Sequence, residues 1–288
     1  MAASPDPRTF ALPRARAGAS PLAELLAKAR PLLMGVLNVT PDSFSDGGRF
    51  LDPQAALAQA QRLIAEGADI LDVGAESTRP YGDAVRVALE EERARLAPVL
   101  PAVTALGVPV SIDTLKAAVA AWALDRGAAI VNDVWGLQRE PDMARVVAEH
   151  GAAVIIMHNR ETVDPTIDIV ADVSAFFARS LDIAARAGIP RERIVLDPGI
   201  GFGKTAQQSL TCIAQLDAWR GFGMPLMVGA SRKRFIHAVA PSAPMERLGG
   251  SVAAHLLAVE NGATLVRVHD VAPTAQALAV VAAIRRAR

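Results

Sequence analysis

Short runs of apolar residues recur along the chain, each followed by a polar or Gly-rich patch and then by an amphipathic stretch. Eight runs predict buried β-strands: LLMGVL (32–37), ADILDV (68–73), VPVSID (108–113), AAIVND (128–133), AAVIIM (152–157), RIVLD (193–197), PLMVG (225–229) and ATLVRV (263–268). Continuous apolar runs are typical of strands buried on both faces, and intervening helices are typical of parallel sheets. The pattern therefore predicts an α/β protein.

The amphipathic stretches between these runs predict helices. They span residues 53–67, 90–103, 114–127, 142–151, 173–188, 207–221, 245–262 and 271–286. Glycines that precede the next strand predict left-handed helix caps at Gly67, Gly107, Gly127, Gly151, Gly188 and Gly262. Eight strand–helix units favour a single-domain (β/α)8 TIM barrel, with an open doubly wound sheet as the alternative.

Composition and length agree with one barrel preceded by a leader. Of the 288 residues, 51% are hydrophobic, and 30 Lys and Arg residues balance 30 Asp and Glu residues. We do not expect so apolar a chain to be disordered, and zero net charge gives no basic field for nucleic acid. We predict a Pro-, Ala- and Arg-rich leader over residues 1–30 and the barrel over residues 31–288.

The cellular location follows from the apolar runs and the cysteine content. No apolar run reaches the roughly 18 to 20 residues needed to cross a bilayer, so we expect no membrane association. Cys212 is the single cysteine and cannot form an internal disulfide, which is typical of a reducing compartment. We therefore expect a cytoplasmic protein.

Polar residues gather where the predicted strands end, which is the catalytic face of such a barrel. They lie in residues 38–50, 74–80, 113–114, 132–133, 157–158, 197–205, 229–235 and 267–270. Taken alone, Asp113 or Asn132 also fits a helix cap, His158 a packed imidazole, and Met157 or Phe202 a lining residue. Their joint placement favours a functional site.

The candidate residues fall into two chemical groups. Cationic and hydrogen-bonding groups suit an anion such as a diphosphate, and Asn38 offers an oxygen to Mg²⁺. This first group contains Asn38, Ser77, Thr78, Arg79, Arg267 and His269. The second group, Asp113, Asn132, Asp197 and Lys233, matches the donor and acceptor edge of a planar heterocycle. Together they predict a site for a heterocycle that carries a diphosphate.

Other common chemistries lack their motifs. The segment DPGIGFGKT (197–205) fails as a nucleotide phosphate loop, because Pro198 stands where that motif needs glycine. The Cys and His spacings match no zinc site, and Cys212 lies inside a predicted helix.

Seven segments, in this order, resemble the dihydropteroate synthase family. They are MGVLNVTPDSFSDGG, DVGAESTRP, SIDT, VNDV, DPGIGFGK, GASRK and RVHDV, between Met34 and Asp270. The resemblance implies a (β/α)8 barrel, Mg²⁺ as cofactor and a homodimer. It also implies condensation of 6-hydroxymethyl-7,8-dihydropterin diphosphate with 4-aminobenzoate, by a dissociative displacement that releases diphosphate and forms 7,8-dihydropteroate for folate synthesis.

The resemblance also implies roles for individual residues. Pterin binding is implied for Asp113, Asn132, Met157, Asp197 and Lys233; diphosphate binding for Thr78, Arg79, Arg267 and His269; binding of 4-aminobenzoate, where sulfonamides compete, for Phe202, Ser231 and Lys233; and metal binding for Asn38. The catalytic set is Asp113, Lys233 and Arg79. The first two strand–helix loops, Val39 to Leu51 and Gly74 to Ala88, are expected to close over the substrates.

Three departures from the family pattern and two rival functions remain. Tyr81, Asn159 and Arg234 replace the residues that are usual after ESTRP, Met-His and SRK. A pterin-dependent methyltransferase shares the pterin-binding barrel, but the SRK and RVHDV segments and the long first loop argue against it. A catalytically silent paralogue would have lost site residues, and the main set is intact.

Overall fold

The computed structural model describes residues 21–28, 30–40, 52–76 and 87–287. The strands are β1 (Leu32–Asn38), β2 (Ile70–Gly74), β3 (Val110–Asp113), β4 (Ile130–Asp133), β5 (Ala153–Met157), β6 (Ile194–Asp197), β7 (Met227–Val228) and β8 (Leu265–Val268). The helices are α1 (Pro21–Leu26), α2 (Pro53–Ala65), α3 (Leu89–Leu96), α4 (Leu100–Thr104), α5 (Ala117–Leu124), α6 (Met143–Glu149), α7 (Ile169–Ala187), α8 (Ala206–Ala214), α9 (Arg234–Val239), α10 (Leu248–Glu260) and α11 (Val271–Arg286). Each strand overlaps one predicted apolar run.

The described strands form one parallel sheet of order β6-β5-β4-β3-β2-β1-β8-β7. A parallel bridge between Leu196 and Leu226 joins its two edges, so the sheet closes into a barrel. The register pairs Gly74 with Asp113 and Asp113 with Asn132, which places the ends of β2, β3 and β4 at one level. The predicted (β/α)8 barrel is confirmed, and the open sheet is excluded.

Side chains inside the barrel form an apolar lower layer and a polar upper layer. The lower layer contains Leu32, Met34, Ile70, Ile130, Ala153, Ile155, Val195, Met227 and Leu265. Alternate residues of a strand share one face, so the residues two positions further on also point inward. Asp72 follows Ile70 in this way, and Arg267 follows Leu265. The alternation therefore concentrates polar groups at the ends of the strands.

Helix α1 lies within the predicted leader and packs two leucines against the apolar lower layer. Asp69, just before β2, fixes this end of the barrel by accepting from Lys28 at 2.9 Å, from Arg30 at 2.7 and 2.8 Å, and from the Leu33 N–H at 3.1 Å. Burial opposes ionisation of Asp69, but these hydrogen bonds outweigh it and lower the pKa of the carboxyl group. The division at residue 30 stays a prediction.

We expect Asp69→Ala to lower the free energy of unfolding by about 2 kcal/mol at neutral pH, because the buried Leu33 N–H loses its acceptor and the charge-assisted hydrogen bonds from Lys28 and Arg30 disappear. The folded-state pKa of Asp69 is lowered, so its stabilisation is present above the unfolded-state pKa and is lost as pH falls through the folded-state value. Urea unfolding at about pH 7 and about pH 2.5 measures this effect. An equal loss at both pH values would contradict the account.

The helix ends agree with the predicted caps, but several helices differ in extent and α9 was not predicted. Gly188 ends α7 with a left-handed φ of 82°, and the other five predicted caps also have positive φ. The predicted helix over 90–103 is divided into α3 and α4, because Pro98 lies between them and has no N–H to continue the ladder, while Pro101 occupies the first turn of α4. The predicted helix over 207–221 ends at Ala214 and gives way to a 3₁₀ segment. Within the described ranges, no helix is both long and apolar enough to span a bilayer.

Candidate active site

Four polar side chains from four strands meet at the upper end of the barrel. Arg267 donates from Nε to Asp72 Oδ2 at 2.6 Å and from Nη2 to Asp113 Oδ2 at 2.9 Å. Asn132 donates from Nδ2 to Asp72 Oδ2 at 3.1 Å. We call these four residues the carboxylate–guanidinium network. The barrel brings them together from distant parts of the sequence because it aligns the strand ends.

This network has more acceptors than donors. The Oδ1 atoms of Asp72, Asp113 and Asn132 are buried and have no hydrogen-bond partner among the described residues. A buried acceptor without a partner costs about 1–3 kcal/mol. Three such atoms at one end of a barrel therefore indicate a ligand that presents N–H groups to them.

Burial and neighbouring charges control the protonation of Asp113. The residue is 4% exposed. Burial raises the pKa of Asp113 to about 7, with Arg267 opposing this shift and Asp72 adding to it. Burial also disfavours the charged form of Arg267, but both carboxylates outweigh it and raise the pKa of the guanidinium. Hydrogen bonds from a ligand would favour the Asp113 carboxylate, because they stabilise its charged form.

Lys233 and Asp197 form a second part of the site. Lys233 Nζ donates to the Ile200 carbonyl and lies 4.6 Å from the centre of the Phe202 ring. Asp197 Oδ1 accepts from the Gly199 N–H at 2.7 Å. Burial lowers the pKa of Lys233 to about 7, an effect that Asp197 opposes. Burial likewise raises the pKa of Asp197, and Lys233 opposes that shift. The ring and the ammonium together suit a planar polar ligand.

Ser231 connects the loops that follow β7 and β8. Its Oγ accepts from the His269 N–H at 3.3 Å and lies 3.0 Å from His269 Nδ1. The next residue, Arg232, has a left-handed φ of 58°, and its guanidinium donates to both oxygens of Asp270 at 2.5 and 3.0 Å. The residues predicted for 4-aminobenzoate and for diphosphate thus lie in contact.

Met157 and Asn38 end β5 and β1. Met157 is 4% exposed and packs with Val134 and Phe202, beside the partly buried Trp135. These side chains give the site an apolar wall next to the polar network. Asn38 is half-buried at the end of its strand.

Part of the predicted site lies outside the described residues. This holds for Ser77, Thr78 and Arg79, for Tyr81, and for residues 41–51 of the first loop. Their predicted roles in diphosphate binding, catalysis and loop closure therefore stay predictions.

Magnesium is the predicted cofactor, with Asn38 as its predicted ligand. Within the described ranges, no group of three or more His, Cys, Asp or Glu residues is placed to hold a metal. Mg²⁺ commonly keeps several waters and binds few protein groups together with substrate phosphates. The Asn38 amide oxygen suits one such ligand position. Metal binding by Asn38 therefore stays a prediction.

Two residues of this region, Asp72 and Lys204, were not among the predicted site residues. The carboxylate of Asp72 interrupts an apolar run that is buried on both faces, and Asp is rarely buried without a partner; that interruption was the available signal. Lys204 stands in the glycine-rich segment after β6 and is 6% exposed. A lysine in a loop indicates a functional site only if its side chain is known to point inward.

His158 and the two described departures have structural environments. His158 Nε2 lies 2.9 Å from Asp172 Oδ2, and its ring is buried, which agrees with the packed-imidazole interpretation. Asn159 is buried, and its Oδ1 accepts from the Arg160 N–H at 2.8 Å. Arg234 begins α9 and is exposed.

Several named proteins and solved structures are similar to this chain over most of its length. The dihydropteroate synthase of Bacillus subtilis is 44% identical over 245 residues, which cover 85% of each chain. The Xanthomonas albilineans dihydropteroate synthase with 4-aminobenzoic acid is 43% identical, with a TM-score of 0.84 over 89% of this chain and 93% of that one. The Burkholderia cenocepacia enzyme complexed with 7,8-dihydropteroate is 42% identical, with a TM-score of 0.81 over 90% and 92% of the two chains.

The family assignment rests on a match over most of the barrel. Residues 34–269 match the family described as pterin binding enzyme. This range begins in β1 and ends just after β8, so it includes all four residues of the carboxylate–guanidinium network. The chain belongs to the pterin binding enzyme family.

Proposed function

We propose that this chain condenses 6-hydroxymethyl-7,8-dihydropterin diphosphate with 4-aminobenzoate, forming 7,8-dihydropteroate and diphosphate for folate biosynthesis. Family membership supports the proposal, as do relatives named dihydropteroate synthase and related structures with 4-aminobenzoic acid or 7,8-dihydropteroate. The observation that carries it is the set of three buried, unpartnered acceptors in the carboxylate–guanidinium network.

The pterin binds by its polar edge. Its 2-amino group and ring N–H groups donate to the free oxygens of Asp72, Asp113 and Asn132. Asp197 accepts a further N–H, and Lys233 donates to an acceptor atom of the ring. Asp197 ends β6, and Lys233 lies in the loop after β7, directly before α9. Burial there strengthens charge-assisted hydrogen bonds. The Met157 side chain packs against the face of the ring.

The 4-aminobenzoate lies on the side of Phe202, Ser231 and Lys233. The Phe202 ring offers an aromatic surface, and Lys233 stands 4.6 Å from its centre, so the second substrate meets both an apolar face and a cation. Sulfonamides carry the same aniline group, and we expect them to compete for this position.

The diphosphate lies toward Arg267 and His269, together with Thr78 and Arg79. Arg267 keeps its charge because two carboxylates contact it, so it offers a positive group next to the leaving diphosphate. Asn38 would be the protein ligand of Mg²⁺. When bound, that ion neutralises part of the diphosphate charge and so makes diphosphate a better leaving group.

The reaction is a dissociative displacement. The bond between the exocyclic methylene carbon and the diphosphate oxygen breaks, and its electron pair leaves with the diphosphate. The methylene cation is conjugated with the electron-rich dihydropterin ring, and the Asp113 carboxylate stabilises its positive charge. The amine of 4-aminobenzoate gives its lone pair to the methylene carbon and then releases a proton to water. The amine is already a nucleophile and needs no activating triad.

A homodimer and a cytoplasmic location belong to the same proposal. Leu248 and Leu257 on α10 and Val280 and Ile284 on α11 are exposed, and this apolar surface supports association through the last helices. The free thiol of Cys212 is buried in α8, which agrees with a fold that needs no oxidising compartment.

Product formation tests the proposed function. Purified protein is incubated with 6-hydroxymethyl-7,8-dihydropterin diphosphate, 4-aminobenzoate and Mg²⁺, and both products are measured. We expect equal amounts of diphosphate and 7,8-dihydropteroate, and at least a tenfold lower rate after the metal is removed with a chelator. Folded protein that forms no dihydropteroate would contradict the proposal and favour a silent paralogue, and methyl transfer to a corrinoid protein would favour the methyltransferase.

A further inference from the structure

Lys204 is a buried cation whose donors are all engaged. Its Nζ donates to three acceptors: His158 Nδ1 at 2.7 Å, the Gly199 carbonyl at 2.9 Å and the Phe202 carbonyl at 3.1 Å. A lysine ammonium has three hydrogens and no acceptor, so these contacts use all of them. Gly199 and Phe202 lie at the start and near the end of one turn, residues 199–203, which follows β6.

The turn fits tightly against the segment after β5. Gly199 has a φ of 66°, and a Cβ there would lie 2.0 Å from the His158 carbonyl oxygen. Gly203 has a φ of 56°, and a Cβ there would lie 2.4 Å from Arg160 Cβ. Only glycine fits at both positions, so the turn has little freedom to shift on that side.

Three residues of the site depend on this turn. The Gly199 N–H holds the Asp197 carboxylate at 2.7 Å. The Ile200 carbonyl accepts from Lys233, and Phe202 contributes both its ring and the carbonyl that Lys204 contacts. Lys204 contacts Phe202 through its backbone carbonyl.

His158 orients the ammonium through a fixed tautomer. Because Lys204 can only donate, His158 Nδ1 must accept, and the ring hydrogen must be on Nε2. That nitrogen lies 2.9 Å from Asp172 Oδ2, which also pairs with Arg160 at 2.9 Å. Burial lowers the pKa of His158 to about 3, which agrees with a neutral ring.

We propose that Lys204 is a positioning residue: by joining both ends of the turn over 199–203 to His158, it sets the side of the site that receives 4-aminobenzoate. This inference rests on the proposed function. Asp197 keeps its place at the end of β6 and stays the opposite charge next to Lys233, whereas Phe202 lies within the turn and its carbonyl is contacted directly. Loss of the ammonium therefore acts chiefly on the second substrate.

Steady-state kinetics of Lys204→Met tests the inference, because methionine fills a similar volume without donors. We expect the KM for 4-aminobenzoate to rise at least about tenfold, while the KM for the pterin diphosphate changes less than about threefold. A residue needed only for folding would reduce the amount of active enzyme and leave both KM values unchanged. Equal KM values to wild type, or equal rises in both, would overturn the inference.

A matched pair at His158 decides the question if Lys204→Met does not fold. His158→Asn keeps an oxygen near the position of Nδ1, and His158→Leu does not; both lose the contact with Asp172. We expect the KM for 4-aminobenzoate to stay within about twofold of wild type in His158→Asn and to rise at least about fivefold in His158→Leu. Equal KM values in the pair would overturn the inference. A wild-type protein without product overturns the proposed function itself, and the inference with it.

Discussion

Replacing Asp113 with asparagine is expected to lower kcat/KM at least about 100-fold, or about 2.7 kcal/mol of transition-state stabilisation. The substitution preserves the shape of the side chain but removes the negative charge next to the developing methylene cation. It also replaces one of the two carboxylate oxygens with an NH2 group. The side chain can then no longer accept with one atom from Arg267 and with the other from the pterin. Initial rates at several concentrations of both substrates give the value. Near-wild-type kcat/KM in the folded variant would show that Asp113 has no such role.

Asp133→Asn is the matched control for Asp113→Asn. Asp133 ends the neighbouring strand and is also buried, but its carboxylate accepts from the backbone N–H groups of Trp135 at 2.9 Å and Leu137 at 2.7 Å. Because each oxygen is already engaged by a backbone N–H of the loop, we expect a loss of stability and a change in kcat/KM below about threefold. Equal kinetic losses in the two variants would mean that the effect at Asp113 is only structural.

Removing Arg267, the cation that Asp72 and Asp113 share, should have the largest effect on stability. Arg267→Met leaves the Asp72 and Asp113 carboxylates buried without their guanidinium, and such a loss costs about 3–5 kcal/mol. The pKa of Asp113 is already raised to about 7 in the folded protein. Folded protein therefore binds more protons than unfolded protein between the two pKa values, and stability falls as pH rises through this window. Without Arg267 the pKa rises further, so the fall extends to higher pH.

Urea unfolding at about pH 5 and about pH 8 measures this prediction. We expect Arg267→Met to be about 3–5 kcal/mol less stable than wild type at the higher pH, and to lose clearly less stability at the lower pH, where Asp113 is protonated in both proteins and the lost contact with Asp72 remains. Arg285→Met is the control, since Arg285 pairs with Glu260 at the surface at 3.5 Å and should change stability by less than about 1 kcal/mol. The same destabilisation by Arg267→Met at both pH values would contradict the assigned ion pairs.

The fold was predictable because its determinants are local and repeated. Apolar runs, amphipathic stretches and glycine caps such as Gly188 each report on a few neighbouring residues, and eight repeats leave few arrangements. Helix extents were less predictable: Pro98 divides one predicted helix, and a 3₁₀ segment after Ala214 shortens another. Hydrophobic periodicity does not reveal either change, although the proline is visible in the sequence.

The site was predictable only where its residues follow a strand. Asp113, Asn132 and Asp197 stand at strand ends, and in a barrel that position alone indicates function. Asp72 lies inside its strand and became visible when the structure placed it beside Arg267 at 2.6 Å. Lys204 belongs to a loop, where a lysine is usually solvated, and its burial depends on the path of the turn. Such residues need three-dimensional contacts to be recognised.

Ligand discrimination at the polar edge tests the central claim most directly. A pterin and the matching lumazine have the same bicyclic shape, but lumazine carries a carbonyl oxygen where the pterin carries its 2-amino group. If Asp72, Asp113 and Asn132 accept from that edge, calorimetry should show the lumazine binding at least about 100-fold more weakly, because an oxygen then faces unpartnered acceptors. Equal dissociation constants for the two compounds would contradict the assignment of these three oxygens to the pterin.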